Sequence, residues 1–315
     1  MNPVGLLFSW WEQQPHLITG YIRMTGGTVR ETREAARFLA PALIAIGVVL
    51  VYPLAYVIRL GFFSYSISQG MRFVGFGNYV RILGDETFHI SLKNTFLYTT
   101  GAVSIEMLLG FVLANILNRQ FPGRNLIRGL LMIPMLASPI VSGIMWRFMY
   151  NPDFGIINYF VKLLGLRPQV WTGDPRTALI SVIIVDIWEF TPFVILLLLA
   201  GLQAIPNEQY EAAMVDGASS WQRLRYVTIP WLKPMILVVL LLRTMDSIKV
   251  FDQVYALTGG GPGISSLTTG VYAYFTGFRS FRLGNAAAIS WLLALITVVV
   301  SMLYIRSIKV PERGG

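Results

Sequence analysis

The chain has 315 residues, of which 55% are hydrophobic and only 13% are charged. A typical soluble domain carries about 25% charged residues, so this composition indicates a chain embedded in a lipid bilayer. Cysteine is absent, which excludes disulfides, thiolate metal sites and cysteine nucleophiles. The two histidines, His16 and His89, are far apart in the sequence. We therefore expect neither a metal site nor histidine-based catalysis.

The formal net charge of +9 raises nucleic acid as a partner class. In a membrane protein, however, basic residues collect beside the anionic cytoplasmic leaflet. We therefore expect membrane lipid, and no nucleic acid, as the partner of these charges.

Six segments are long and apolar enough to cross a bilayer, which requires about 20 residues per helix. They are predicted at residues 38–61, 93–117, 126–149, 177–200, 233–256 and 285–306. All should be helices, because lipid offers backbone groups no hydrogen-bond partners. The predicted fold class is an all-α integral membrane protein with six transmembrane helices. Pro134 and Pro139 fall inside the third segment, where proline kinks a helix.

This pattern predicts an N-terminal segment at 1–37, a first transmembrane helix at 38–61 and a five-helix core at 93–306. Connections between successive helices alternate sides of the membrane. The side that carries both termini has thirteen basic residues in its connections and tails, against eight on the other side. By the positive-inside rule, both termini and the polar connection 201–232 are predicted to be cytoplasmic, in a multi-pass protein of the cell membrane.

The cytoplasmic connection predicts a short helix, a glycine turn and a second helix. Asn207 is a candidate N-cap, and Glu208 and Glu211 lie where the helix dipole favours negative charge. Gly217 can adopt positive φ where the first helix ends. Pro230 then begins the return to the membrane.

The same connection reads Glu211-Ala212-Ala213, then Gly217 after three residues, then Val227-Thr228-Ile229-Pro230 after nine more. This resembles the cytoplasmic signature of the inner-membrane permeases of ATP-binding-cassette (ABC) importers: Glu-Ala-Ala, three residues, Gly, nine residues, Ile-x-Leu-Pro. Val227 and Ile229 are conservative apolar departures from that pattern. The resemblance extends over about residues 38–305.

Shorter pieces resemble the carbohydrate-type branch, the maltose, trehalose and glycerol-phosphate permeases. They are Tyr52-Pro53, Gly75-Phe76-Gly77-Asn78-Tyr79, Asn94-Thr95, Pro192-Phe193, Leu257-Thr258-Gly259-Gly260-Gly261-Pro262 and Leu283-Gly284-Asn285-Ala286-Ala287-Ala288-Ile289-Ser290. The resemblance implies a type I ABC importer permease that moves a mono- or oligosaccharide inward. A glycerol phosphate or another polyol-like solute is the alternative within the class.

The resemblance also implies partners: a second homologous permease, two ABC ATPases and an extracytoplasmic solute-binding protein. The residues implied to couple this chain to an ATPase are Glu211, Ala212, Ala213, Asp216, Gly217 and Pro230. The chain has no Gly-x-x-x-x-Gly-Lys-Ser/Thr loop for phosphates. We therefore expect a transport subunit that is not an enzyme and has no cofactor, with ATP and Mg bound by the partner ATPases.

Charges inside the spans are costly, by about 2.5–3.5 kcal/mol each, and normally face a cavity or a partner. Those predicted to lie inside are Glu106, Asp186, Glu189, Arg243, Asp246, Lys249 and Asp252. Asp186 and Glu189 share one helix face, as do Arg243 and Asp246. Together with Trp188 and Ser247, these four residues are the candidates for a substrate path.

Two interpretations of these charges stay open. The charges can pair between helices and stabilise the bundle. Alternatively, they can offer carboxylates beside aromatic rings to a sugar. In that case Glu189, next to Trp188 and Phe190, is the first candidate. Paired carboxylates also occur in glycoside hydrolysis, but no water-accessible catalytic cleft is indicated. A proton-coupled secondary transporter is the alternative from a different class; it has no need of the coupling loop.

Overall fold

The computed structural model describes residues 39–66 and 70–307. The predicted segment 1–37, which includes His16, lies outside the described residues. The described residues form helices and one antiparallel hairpin, β1 (Phe63–Ser66) with β2 (Gly70–Phe73). The predicted all-α class is therefore confirmed.

The described helices, in chain order, are α1 (Leu39–Gly61), α2 (Gly77–Leu83), α3 (Glu86–Asn118), α4 (Arg124–Met132), α5 (Pro139–Met149), α6 (Ile156–Leu163), α7 (Ala178–Gln203), α8 (Asn207–Val215), α9 (Ser220–Ile248), α10 (Asp252–Leu257), α11 (Thr269–Tyr274) and α12 (Leu283–Ser307). Of these, α1, α3, α7, α9 and α12 are each long and apolar enough to cross a membrane. The bent pair of α4 and α5 is the sixth crossing if it counts as one span.

The chain divides between Val57 and Ile58 into two compact units. The described part of the first unit belongs to α1, which contains a π-helical turn at Gly47–Val51. The second unit contains the last turn of α1 and all later described elements.

The third span is broken rather than kinked. The α4 helix and the 3-10 turn Pro134–Leu136 that follows it meet α5 at an angle of 96°. Neither Pro134 nor Pro139 can donate a backbone hydrogen bond. Ala137 and Ser138 between them are extended, with ψ of 147° and 138°. Two prolines five residues apart thus interrupt the helix, which a prediction of one continuous span from 126 to 149 missed.

The predicted fifth span, 233–256, is wrong at its C-terminal end. The α9 helix begins at Ser220, because Ser219 and Gln222 form a capping box there, and it ends at Ile248. Residues 249–251 are not helical, and the carbonyl of Val250 accepts a hydrogen bond from the Thr268 hydroxyl at 3.3 Å. Lys249 and Asp252, predicted to lie inside the span, instead follow its end.

Three spans, α3, α7 and α9, pack on a common core of buried aliphatic side chains. These side chains are Ala114, Leu117, Val194, Ile195, Leu198, Leu202, Leu232 and Val239. The α3 helix packs closely on α7 at Gly110, where an added Cβ would lie 2.5 Å from Cγ1 of Val194. The absence of a side chain at Gly110 therefore sets the separation of these two helices.

We predict that Gly110→Ala lowers the melting temperature of the detergent-purified protein. The added methyl group must displace Val194, and overpacking of this kind costs about 1–3 kcal/mol. Gly129→Ala on α4 is the matched control, because an added Cβ there meets nothing within 4 Å. It should leave the melting temperature unchanged or raise it, since alanine favours a helix over glycine by about 1 kcal/mol. Equal melting temperatures for the two variants would contradict the packing argument.

Candidate functional site

Arg243 of α9 is the centre of a buried cluster of charges. Its Nε donates to Oε2 of Glu106 at 2.7 Å, and its Nη2 donates to Oε1 of the same carboxylate at 2.9 Å. Nη2 also donates to Oδ2 of Asp186 at 2.9 Å. The guanidinium is 2% exposed and Glu106 is fully buried. One side chain therefore joins α9 to α3 and α7.

Asp246 is the third carboxylate on Arg243, and it differs from the other two. Nη1 of Arg243 donates to its Oδ2 at 3.1 Å, yet the Asp246 side chain is 57% exposed. The ring of Phe190 lies against the guanidinium, 4.0 Å from Cζ to the ring centroid. The predicted pairing of Arg243 with Asp246 is thus present, and it leaves one carboxylate oriented partly outward.

The depth of this cluster follows from its partners. Glu106 lies in the middle of α3 and Asp186 in the first half of α7, so Arg243 is inside the bundle although α9 ends soon after it. Ion pairs of such deep groups stabilise a structure only when the fork of hydrogen bonds is well satisfied. Four donor contacts from Arg243 meet that condition.

Glu189 belongs to a different network. Gln253 of α10 donates from Nε2 to Oε2 of Glu189 at 2.6 Å, and the Tyr98 hydroxyl of α3 donates to Oε1 of Gln253 at 2.9 Å. All three side chains are buried. Within the described part of the chain, Glu189 forms no ion pair. The Gln253 amide therefore fastens the short helix α10 to two long spans, to α7 through Glu189 and to α3 through Tyr98.

The remaining path candidates have ordinary packing roles in this structure. Trp188 packs edge to face on Trp146, with ring centroids 5.6 Å apart. Ser247 is buried and donates to the carbonyl of Thr244 at 3.2 Å, one turn back on its own helix. Neither Ser247 nor Trp188 lines the cavities described next.

Two adjoining cavities, of about 190 and 330 Å³, meet at Phe190, Asp246 and Lys249. Asp186 and Phe251 also line the first cavity, and Phe193 and Arg243 the second. A carboxylate, an ammonium group and phenyl rings thus face the same space. Such a lining can hydrogen-bond hydroxyl groups and pack against the apolar face of a ring.

Sequence reasoning missed Tyr98 and Gln253 as members of the buried network. Tyr98 carries a signal that would have indicated it: Ser91, Thr95 and Tyr98 recur at helical spacing and place a polar stripe on α3. Gln253 had no such signal, because it was assigned to a continuous fifth span.

The cytoplasmic connection has the predicted helix, turn and helix. The α8 helix ends at Val215, and Gly217 follows with φ of +75°, which confirms the glycine turn. Asn207 is the first helical residue and Pro206 precedes it, so the predicted N-cap is wrong by one position. Asn207 cannot cap from inside the helix. The Tyr210 hydroxyl, 3.1 Å from Oγ1 of Thr228, fastens α8 to α9.

The coupling candidates from Glu211 to Gly217 lie at the end of α8 and in the turn after it, and Pro230 lies in α9. Exposed positions are Glu211, Ala212, Asp216, Gly217 and Pro230, while Ala213 is half-buried. Two apolar neighbours are also exposed, Met214 at 51% and Val215 at 87%. The end of α8 therefore presents an apolar surface of the kind that a protein partner covers.

Long apolar helices, an internal charge cluster beside cavities and an exposed helical connection are features expected of a membrane transport permease. The chain belongs to the family described as the binding-protein-dependent transport system inner membrane component, whose model matches residues 106–314. This membership confirms the resemblance to ABC importer permeases. It identifies the chain as a transport component of a membrane and rules against the proton-coupled secondary transporter.

Two relatives and one solved structure support the assignment. The trehalose/maltose transport system permease protein MalF of Thermococcus litoralis is 37% identical over 286 residues, covering 88% of this chain and 94% of the relative. The trehalose transport system permease protein SugA of Mycobacterium tuberculosis is 34% identical over 299 residues, covering 94% of this chain and 95% of the relative. The solved structure is a bacterial alginate ABC transporter in complex with an alginate pentasaccharide-bound periplasmic protein. It has the same fold, with a TM-score of 0.76 at 22% identity. The match covers 88% of this chain and 94% of the matched chain.

We predict that Arg243→Met destabilises the protein strongly. The change leaves Glu106 and Asp186 buried without a cation, and breaking a buried ion pair from one side costs about 3–5 kcal/mol. Yield and melting temperature in detergent should both fall. Asp246→Asn is the matched control, because its side chain is more than half exposed and the amide oxygen still accepts from Arg243. A normal melting temperature for Arg243→Met would show that the cluster does not hold the helices together.

Proposed function

We propose that this chain is a permease subunit of an ABC importer that moves a sugar, a mono- or oligosaccharide, inward. The observation that carries the choice of substrate class is the lining shared by the two cavities: Asp246 and Lys249 beside the rings of Phe190, Phe193 and Phe251. Sugars combine hydroxyl groups with apolar ring faces, and this lining offers a counterpart to each. The relatives named above transport trehalose and maltose, which supports the same class.

In this proposal Arg243 is a positioning residue. It borders the second cavity, but its donor nitrogens are engaged with Glu106, Asp186 and Asp246, so its role is to hold Asp246 at the edge of the cavities. Asp246 then accepts hydrogen bonds from hydroxyl groups, and the neighbouring phenyl rings pack on the sugar ring. Glu189, held by Gln253, keeps the wall formed by α10 in place; this replaces the path role that the sequence suggested for it.

Translocation proceeds by alternating access, in which two conformations open the path to opposite sides of the membrane in turn. Two partner ATPases, which bind ATP and Mg, bias that equilibrium through the exposed end of α8 and through Gly217. The chain pairs with a second homologous permease, so each subunit supplies half of the path. A solute-binding protein delivers the sugar. Both termini, like α8, face the cytoplasm, as the excess of basic residues on that side indicates.

A glycerol phosphate or similar polyol is the second candidate. Lys249 lines both cavities and is exposed, so it offers a cation to a phosphate group. Competition assays with the reconstituted importer distinguish the two: a neutral disaccharide that blocks uptake supports the sugar, and inhibition by glycerol phosphate alone supports the alternative.

We predict that Gly217→Val abolishes uptake while the subunit remains inserted. Valine disfavours the positive φ at this position, so the turn after α8 must change where the ATPase docks. Gly70→Val is a matched control: Gly70, in β2, also has positive φ, at +70°, and its Cβ position is also open. It carries the same backbone strain away from the docking surface. Uptake that falls equally in both variants would indicate general misfolding and would remove the support for a coupling role.

We also predict that Asp246→Asn lowers uptake while leaving the melting temperature and the assembly with the ATPases nearly unchanged. The amide keeps the bond from Arg243 but loses the charge that strengthens hydrogen bonds from sugar hydroxyls. ATP hydrolysis stimulated by the loaded binding protein should persist. Uptake at the level of the unmodified importer would exclude Asp246 from the path.

A further inference from the structure

The connection between α5 and α7 exposes a continuous run of apolar side chains around α6. We call this exposed surface the α6 patch; it consists of Ile156, Tyr159, Phe160, Leu163, Leu164 and Leu166. Leu164 is 76% exposed and Phe160 57%. The patch lies outside the cavities and away from the α8 surface, so neither the sugar path nor ATPase coupling accounts for it.

Buried hydrogen bonds and a ring contact hold the α6 patch in place. Asn158, which is 2% exposed, donates to the carbonyl of Gln169 at 2.9 Å and accepts from the backbone N–H of Gln169 at 3.1 Å. Its Oδ1 also accepts from Nε1 of Trp171 at 3.0 Å. The ring of Trp171 packs on that of Tyr150, at the end of α5, with centroids 5.5 Å apart. The segment that follows α6 is thus fastened to it, and the outward face of α6 is fixed relative to α5.

The length and position of α6 limit what can cover the patch. The helix has 8 residues, about 12 Å at 1.5 Å per residue, whereas crossing the hydrocarbon layer takes about 20 residues. It lies between the end of one membrane-crossing element and the start of α7, so it is held at a membrane surface. Six large apolar side chains in water at that level would be strongly unfavourable.

Charge distinguishes lipid from protein as the covering partner. Between Asp153 and Asp174, which lie outside the apolar run, the chain has two cations, Lys162 and Arg167, and no acidic residue. Both cations are exposed and sit beside the apolar side chains. Apolar and aromatic residues with a basic rim are the pattern of helices that lie in the headgroup layer, where long basic side chains reach phosphates. Tyr159 adds a ring with a polar tip, which favours the same depth.

We propose that the α6 patch is a lipid-binding surface that lies in the phospholipid headgroup layer, with its apolar side chains toward the acyl chains and Lys162 and Arg167 on lipid phosphates. The surface anchors the connection between α5 and α7, and with it the Trp171–Tyr150 contact at the end of α5. This inference does not depend on which solute the importer carries.

The absence of cysteine from the chain allows a direct test. Leu163→Cys, and separately Glu208→Cys on the exposed surface of α8 as the control, are labelled with an environment-sensitive fluorophore in the full importer. The complex is placed in nanodiscs of phosphatidylcholine and phosphatidylglycerol with brominated acyl chains. We expect the label at 163 to lose fluorescence to the brominated lipid and the label at 208 to keep it.

Two outcomes would overturn the proposal. One is a label at 163 that is quenched by iodide from the water and not by brominated lipid. The other is a label at 163 that is shielded from iodide only after the solute-binding protein is added, which would make the patch a protein-docking surface. Neither readout requires transport, so a failure here is separate from a failure of the proposed substrate class.

A second variant tests the charge argument. Lys162→Glu combined with Arg167→Glu should reduce the quenching of the label at 163, and the loss should be larger in nanodiscs rich in phosphatidylglycerol than in phosphatidylcholine alone. Replacing both residues by glutamine should give an intermediate loss. Quenching that is unchanged by charge reversal in both lipids would contradict the assignment of these cations to lipid phosphates.

Discussion

A single arginine shared by carboxylates from different spans is the interaction on which the arrangement of this permease depends. Arg243 binds Glu106 of α3 with two donors and Asp186 of α7 with one, deep inside the bundle. A charge at that depth is costly unless it is paired, so each helix can adopt only the rotation that brings its charged residue to the centre. The planar fork of the guanidinium restricts those rotations further, because both of its edges must meet a carboxylate oxygen.

The ion pairs of Arg243 also determine which side chains line the two cavities. The cluster holds one oxygen of Asp246 on Arg243, while the Asp246 side chain stays 57% exposed and lines both cavities. The same rotation of α7 brings Phe190 and Phe193 to the cavity walls and directs Glu189 to Gln253. The buried charges therefore differ in their surroundings. Glu106 lies wholly inside the cluster, Asp186 and Arg243 join helices and also line one cavity each, and Asp246 and Lys249 line both cavities.

Much of this arrangement could be predicted where a local rule applies. The cost of charge in lipid marked Glu106, Asp186, Arg243 and Asp246, and the backbone demand of a helix end marked Gly217. No local rule predicts the end of α9, because no proline or glycine lies at 249–251; the Val250 carbonyl there accepts a hydrogen bond from Thr268, which approaches from a later segment. Pro134 and Pro139 indicated a kink, but the angle of 96° depends on the packing around both halves. Gln253 was missed for the same reason as the end of α9.

We infer that Arg243 has two roles, positioning Asp246 and stabilising the bundle. A triple variant separates them. Glu106→Leu, Asp186→Leu and Arg243→Met together replace the cluster with apolar side chains, an exchange that is often neutral or stabilising for buried ion pairs. Uptake and melting temperature are measured on the reconstituted importer. We expect the melting temperature to stay close to that of the unmodified protein. Uptake should be largely lost, because Asp246 no longer has Arg243 as its partner. A stable triple variant that transports at the normal rate would contradict it.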